Sequence, residues 1–293
     1  MSFIKGLNDI DNNIKLQKYE GKNLIVDKPS TLEKLNASSD RMRICFLDLE
    51  TTGLDKFASE IIEVAMKLIL VDEKSGDIIN VLNEYESLQE PQGRITQTIT
   101  DVTGITNEMV EGKSIDWSVV NTIVNSSDII VAHNARFDRG FFDLVSDLSK
   151  NKIWCCSVND INWAELGFSN KKQEMLCIWH GFYYSSHRAM NDVNALIHLV
   201  THKSYPEEKP LKQIISASKE SVYRIYAENF KYNEEKKNII KNNKYRWDPV
   251  RKVWSKEVKF DELELEKLWL TDIIYDDTFL GRIMEISNTN KYK

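Results

Sequence analysis

Cysteine is scarce in this chain: four in 293 residues, with no C-x-x-C spacing. Of Cys45, Cys155, Cys156 and Cys177, three lie inside apolar runs. They therefore read as reduced core thiols, and zinc ribbons and disulfide scaffolds are set aside. No apolar run approaches the ~20 residues of a membrane span, so no membrane contact is expected. The opening stretch MSFIKGLNDIDNN lacks the basic and long apolar regions of a signal peptide, and a cytoplasmic protein is the expectation. An excess of positive charge is also absent, since the formal net charge is −6 and the sequence pI 5.6. That argues against coating nucleic acid by bulk charge, but not against a small site that handles phosphate through metal. Proline is rare, and two of the five, Pro206 and Pro210, stand in one charged stretch, HKSYPEEKPLKQ.

What is present is the composition of a soluble globular protein, 42% hydrophobic and 29% charged. Residues 1–40 are polar and irregular and read as a loosely docked extension. A strand is expected over 43–50, and two more over 60–72 and 78–88, joined by the turn signal EKSGD. Residues 114–127 have helical spacing and open on Ser114 as a candidate cap. A strand at 128–134, a helix at 135–149 and a strand at 152–158 follow, then helices near 170–180 and 189–202. Three consecutive strands followed by strand–helix alternation predict an α/β fold, a mixed sheet with helices on its faces. The proline-bearing stretch divides a domain at 41–203 from a module at 204–293. In that module 221–229 reads as a strand, 233–243 as a helix, 244–258 as a hairpin around Asp248–Pro249, and 260–275 as an amphipathic helix. A small α+β module results.

The stretch FLDLETTG (46–53) sets two carboxylates on one face of a buried strand, because side chains alternate. Asp48 and Glu50 would repel each other and lose hydration. A divalent cation such as magnesium or manganese, which prefers carboxylate oxygens, would relieve this. From the pair alone, a strand end open to solvent is the favoured reading. Further along stand VAHNARFDRGF, with Asp138 in the first turn of a helix, and HRAMND, with His187 five residues before Asp192. Each is weak alone, since a His–Asp pair near a helix start is commonly a cap or salt bridge. Together they form an ordered set, D-x-E-T-T-G, H-N-x-x-F-D and H-x-x-x-x-D.

With these three motifs, residues 43–202 resemble the DEDDh family of 3′–5′ exonucleases, and most of all the proofreading epsilon subunit of bacterial DNA polymerase III and its free-standing relatives. The segment TGITNEMVEGKSID (103–116) is also similar to that family's. The resemblance implies a ribonuclease H-like fold and an exonuclease domain at 41–203. It implies that Asp48, Glu50, Asp138 and Asp192 hold two Mg2+ (or Mn2+) ions, with Asp48 bridging them and Asp138 acting largely through water. His187 would be the general base. The chemistry suits these types: paired cations neutralise the phosphodiester and steady the attacking and leaving oxygens, and an imidazole can take a proton from water. Thr51, Thr52, Gly53 and Leu54 would meet the terminal nucleotide, with Leu54 packed on its base or, equally, in the core. Asn134 would contact the substrate backbone, although capping the helix that carries Asp138 is favoured on sequence. His133 and Phe137 read as structural.

The expected activity is release of nucleoside 5′-monophosphates from the 3′ end of single-stranded or frayed DNA. The rivals are an exoribonuclease on the same fold and a polymerase-associated binding subunit with little hydrolytic role. A DNA polymerase or another replication or repair protein is the candidate partner. Over 231–259, ten Lys or Arg stand against four acids, interleaved with Tyr232, Tyr245, Trp247 and Trp254. Cations among aromatic faces suit single-stranded nucleic acid. A core role for these aromatics is favoured over a binding role, because small modules need them inside.

Overall fold

The structure, a computed structural model, describes residue 3 and residues 9–10, 13–21 and 40–293. Most of the 1–40 extension thus lies outside the described residues. Where it is described, it docks: Gln17–Lys18 pairs in parallel with Phe182–Tyr183, and the buried Tyr19 ring stacks on His198 at 4.4 Å.

The chain forms two compact units, one of residues up to Ser218 together with Tyr292–Lys293, the other Lys219–Lys291. The first is built on β1 (Arg41–Thr51), β2 (Ile61–Asp72), β3 (Ile78–Leu88), β4 (Ile129–Ala132) and β5 (Ile153–Cys156). Its helices are α1 (Gln97–Thr103), α2 (Asn107–Val110), α3 (Trp117–Ser126), α4 (Ala135–Val145), α5 (Gln173–Trp179), α6 (Ala189–Val200) and α7 (Pro210–Lys219). Sheet order is β3-β2-β1-β4-β5, with β1–β2 and β2–β3 antiparallel and β1–β4 and β4–β5 parallel. This is the mixed sheet of the ribonuclease H-like arrangement, with helices on both faces.

Centrality explains the unbroken apolar run in β1. Ile44 and Phe46 enter one core with α6, while Cys45, Leu47 and Leu49 enter the other with α3 and α4. Asp48 and Glu50 continue the Ile44/Phe46 face, as strand alternation requires. All four cysteines are buried, and none of them is in a disulfide. Helix α3 is capped by Asp116, whose carboxylate accepts from Ser118 N at 2.9 Å, and not by Ser114. No helix among the described residues is long and apolar enough to cross a membrane.

The division between units falls at Ser218/Lys219, later than the 203/204 expected from the prolines. Pro210 opens α7, where its missing N–H costs nothing, and Leu211, Ile214 and Ile215 complete the first core. The second unit runs β6 (Val222–Ala227), α8 (Glu234–Asn242), β7 (Arg246–Asp248), β8 (Val253–Val258), α9 (Phe260–Leu270) and β9 (Arg282–Ile286). Its antiparallel sheet has the order β7-β8-β6-β9. Strand β9 had no counterpart in the sequence reading. Helix α9 ends at Leu270 and continues as a π-turn, Thr271–Tyr275. It is not cleanly amphipathic: Leu263 and Leu270 are buried while Phe260, Leu265 and Leu268 are exposed.

Candidate active site

Strand β1 delivers the first two carboxylates, and a bulge ends its regular pairing just after them. Asp48 lies opposite Ala65 and Glu50 opposite Glu63 on β2, then the register slips at Thr51. The slip turns the chain into the 52–60 loop. From the other wall, the first turn of α6 brings Asp192. Carboxylate oxygens of Asp48, Glu50 and Asp192 all lie within 4.8 Å of one another. Asp138, buried in the first turn of α4, stands outside that triplet but within reach of its field.

Crowding acids away from water raises their proton affinity. Asp48 is held well above the usual carboxylate range by burial, then by Asp138, Asp192 and Glu50. Burial pushes Glu50 up to about 8, helped by Asp192 and opposed by Arg188. Asp138 rises to about 7 through burial, although the Leu49 amide favours its anion. Asp192 is also raised by burial, against the pull of Tyr184 and His187. Such a set without a cation would be poor design. One atom makes this specific: Asp192 Oδ2 is buried and has no hydrogen-bond partner. The donor set, all carboxylate, is one that hard divalent cations prefer. The residues present therefore fit a divalent cation.

Asp192 Oδ1, by contrast, is fixed. Tyr184 donates its hydroxyl to it at 2.7 Å, and Gln173 Nε2 donates to the Tyr184 oxygen and to the Asp192 carbonyl, both at 2.9 Å. The fully buried Glu63 anchors the start of α6. It accepts from Arg188 Nη2 (2.8 Å), Arg188 Nε (3.1 Å) and the Ala189 amide (2.9 Å). His187 sits immediately before this anchor, exposed, with φ +62°, and its ring has no hydrogen-bond partner among the described residues. Glu63, Arg188, Tyr184 and Gln173 were not singled out in the sequence. Only Glu63 had a signal there, its parity with Glu50 on a paired strand; the others needed the tertiary neighbourhood.

The remaining expected residues divide. Leu54 is 88% exposed, which removes the core reading. Thr51 and Thr52 serve the loop: Thr51 Oγ1 donates to the Gly53 carbonyl (2.6 Å), and Thr52 Oγ1 accepts from Glu60 N (2.9 Å). A Cβ on Gly53 would meet Ser59 Oγ at 2.6 Å but Ser59 Cβ only at 3.6 Å, so a larger residue there requires the Ser59 hydroxyl to turn aside. Asn134 occupies the N-cap position of α4, but its side chain makes no capping hydrogen bond, contrary to the favoured reading. His133 is structural: Nε2–H donates to the Lys171 carbonyl (2.8 Å), Nδ1 faces Ser157 Oγ (2.7 Å), and burial lowers its pKa to about 4.

Residues 45–200 match the family described as exonuclease, of RNase T type. The PolC-type DNA polymerase III of Thermotoga petrophila is 33% identical over 144 residues, covering 48% of this chain and 9% of that polymerase. That of Halalkalibacterium halodurans is 33% identical over 162 residues, 52% of this chain and 11% of its own. The chain thus spans about a tenth of these relatives' length. Among solved structures, exonuclease X in complex with 5′-overhanging duplex DNA is similar at 21% identity and a TM-score of 0.41, over 58% of this chain and 99% of that one.

Proposed function

Since this chain belongs to the exonuclease family matched by its residues 45–200, we propose that it is a cytoplasmic 3′–5′ exonuclease that releases nucleoside 5′-monophosphates from single-stranded or frayed DNA. DNA is favoured over RNA because the matched relatives are, by name, DNA polymerases. The same names support a setting beside a polymerase.

One observation carries the reading: three half-buried carboxylates converge, one oxygen among them is left unpartnered, and an exposed histidine adjoins them. Asp48, Glu50 and Asp192, with Asp138 through water, would hold two Mg2+ ions, for which Mn2+ can substitute. When bound, such ions neutralise the phosphodiester and stabilise charge on the attacking and leaving oxygens. Asp48 and Glu50 hold their geometry through the strand. Asp192 is oriented by Tyr184 and Gln173. His187, unencumbered at its ring, takes the proton of the attacking water. Leu54, fully presented, packs against the terminal base. Thr51, Thr52 and Gly53 shape the loop under that nucleotide, and the exposed Asn134 amide contacts the substrate backbone.

The test is digestion of a 5′-labelled DNA strand and its RNA counterpart, with magnesium or with chelator. Stepwise shortening of DNA from the 3′ end, lost in chelator and in Asp48→Ala, is expected. His187→Ala should bind the strand normally and lose about 10²–10⁴-fold in rate. Full activity in chelator, early release of the 5′ label, or preference for RNA would each overturn the corresponding part.

A further inference from the structure

The hairpin β7–β8 of the second unit is unused by the reading above, and the structure separates its aromatic residues. Tyr245 is core: it is buried, stacks on Trp269 at 6.2 Å, and lies under the Lys256 ammonium. Trp254 is half-buried against the same core. Trp247 differs. It lies on the edge strand β7, rests one side on Trp254 (5.6 Å between ring centres), and remains 47% exposed.

The cations divide in the same way. Lys236, Lys237 and Lys256 are held by Asp276, Glu234 and Glu266. Lys244, Arg246 and Lys252 have neither a hydrogen bond from the side chain nor an ion pair among the described residues, and all three are exposed. The acids nearby are occupied. Asp248 accepts from the Val250 and Arg251 amides at 3.0 and 2.9 Å, and Glu257 pairs with Arg224. Lys244 and Lys252 also adopt φ +67° and +52°, a region that favours glycine or asparagine. Cations kept at two strained turn positions call for a reason other than turn chemistry.

Solvation of a sheet edge explains lysines alone, since charge there deters strand-to-strand aggregation. It does not explain a half-bare tryptophan on the same edge, which invites what the lysines would prevent. A polyanion with flat apolar rings satisfies both. We propose that the β7–β8 hairpin is a second contact for single-stranded nucleic acid, with Trp247 stacking on a base and Lys244, Arg246 and Lys252 meeting phosphates. This rests on the exonuclease reading for its substrate class, and adds a grip on the strand separate from the carboxylate site.

The full chain tests it. Binding of a long fluorescent oligothymidine is measured in chelator, over a range of salt, alongside hydrolysis of the p-nitrophenyl ester of thymidine 5′-monophosphate in magnesium. Trp247→Ala should weaken strand binding about tenfold or more. The triple change Lys244→Ala, Arg246→Ala, Lys252→Ala should lower the log–log salt slope by roughly two, at about 0.7 per phosphate contact. Melting temperature and ester hydrolysis should stay at the parent values in both. Trp247→Phe, which keeps a ring, should recover most of the affinity. Unchanged affinity and slope, with the ester still cleaved by the parent, would overturn the hairpin contact and leave the exonuclease reading standing. An ester that the parent does not cleave would instead strike at the exonuclease reading. If Trp247→Ala lowers the melting temperature and Trp247→Phe fails to restore binding, or if duplex binding falls as much as single-strand binding, the stacking role is refuted.

Discussion

Glu50 carries the clearest pH signature among the site residues. Its folded pKa of about 8 lies above the ordinary 4.5, so the metal-free folded state binds more protons than the unfolded chain. The contribution is favourable below the ordinary value and is lost as pH rises toward 8. Thermal melts in chelator should therefore show stability falling between about pH 4.5 and 8, and Glu50→Gln should flatten that slope. Magnesium should abolish the fall, because a cation replaces the proton. A flat profile in chelator would contradict the crowding of these acids. Glu63 gives a second prediction. Its bonds to Arg188 and Ala189 fix the backbone immediately after His187. Glu63→Ala orphans the buried Ala189 N–H and leaves the part-exposed Arg188 only its longer contact to Glu86 at 3.7 Å, at a cost of about 1–3 kcal/mol, and should lower the single-turnover rate well below the melting temperature, with strand affinity nearly unchanged. Glu63→Gln retains an acceptor for Ala189 N–H and should recover part of the rate. A parental rate in folded Glu63→Ala would make the pair merely structural.

At the scale of elements, the 52–60 loop matters most, since it leaves β1 directly after the carboxylates. Gly53 has two candidate reasons to be glycine, close approach of substrate and close approach of Ser59. A double-mutant cycle separates them. Gly53→Ala should cost at most about 1 kcal/mol, because only the Ser59 hydroxyl must turn aside, and Ser59→Ala should relieve that cost in the double variant. If the double variant regains stability but not exonuclease rate, the nucleotide needs the bare backbone as well. If both return together, the glycine serves only the loop. Helix α6 shows how one element serves two ends: Val193, Leu196 and Ile197 anchor it in the core, and its first turn aims Asp192 at β1.

For the whole molecule, the chain returns to its first unit at its far end. Tyr292 is buried in the second core cluster of that unit and donates to Asp160 Oδ1 at 2.6 Å, while Asp160 Oδ2 accepts from the Cys156 amide at 2.7 Å. Cys156 closes β5, so the contact bears on the sheet itself. Tyr292→Phe removes only the hydroxyl bond and should destabilise the first unit by about 1–3 kcal/mol. A fragment ending at Ser218 loses the ring as well and should melt lower still. Equal melting of the fragment and the parent's first transition would show that Tyr292 contributes nothing. A cut at 203 should be worse than either, because it removes Leu211, Ile214 and Ile215 of α7 from the core.

The sequence by itself determined the central strand, the parity of Asp48 and Glu50, the alternation that makes the mixed sheet, and the three motifs that mark the family. These are local properties: a period of two or 3.6, and residue types at short spacings. Tertiary structure alone decided which carboxylates converge, that Asp192 keeps an unpartnered oxygen, that Leu54 faces outward, and that Trp247 and not Tyr245 is exposed. It also decided that the segment with two prolines opens a core helix, that β9 joins the second sheet, and that Tyr292 belongs to the first unit. Each of these depends on residues far apart in the chain meeting in one place. Burial and desolvation act on that meeting, and no run of neighbouring residues records it.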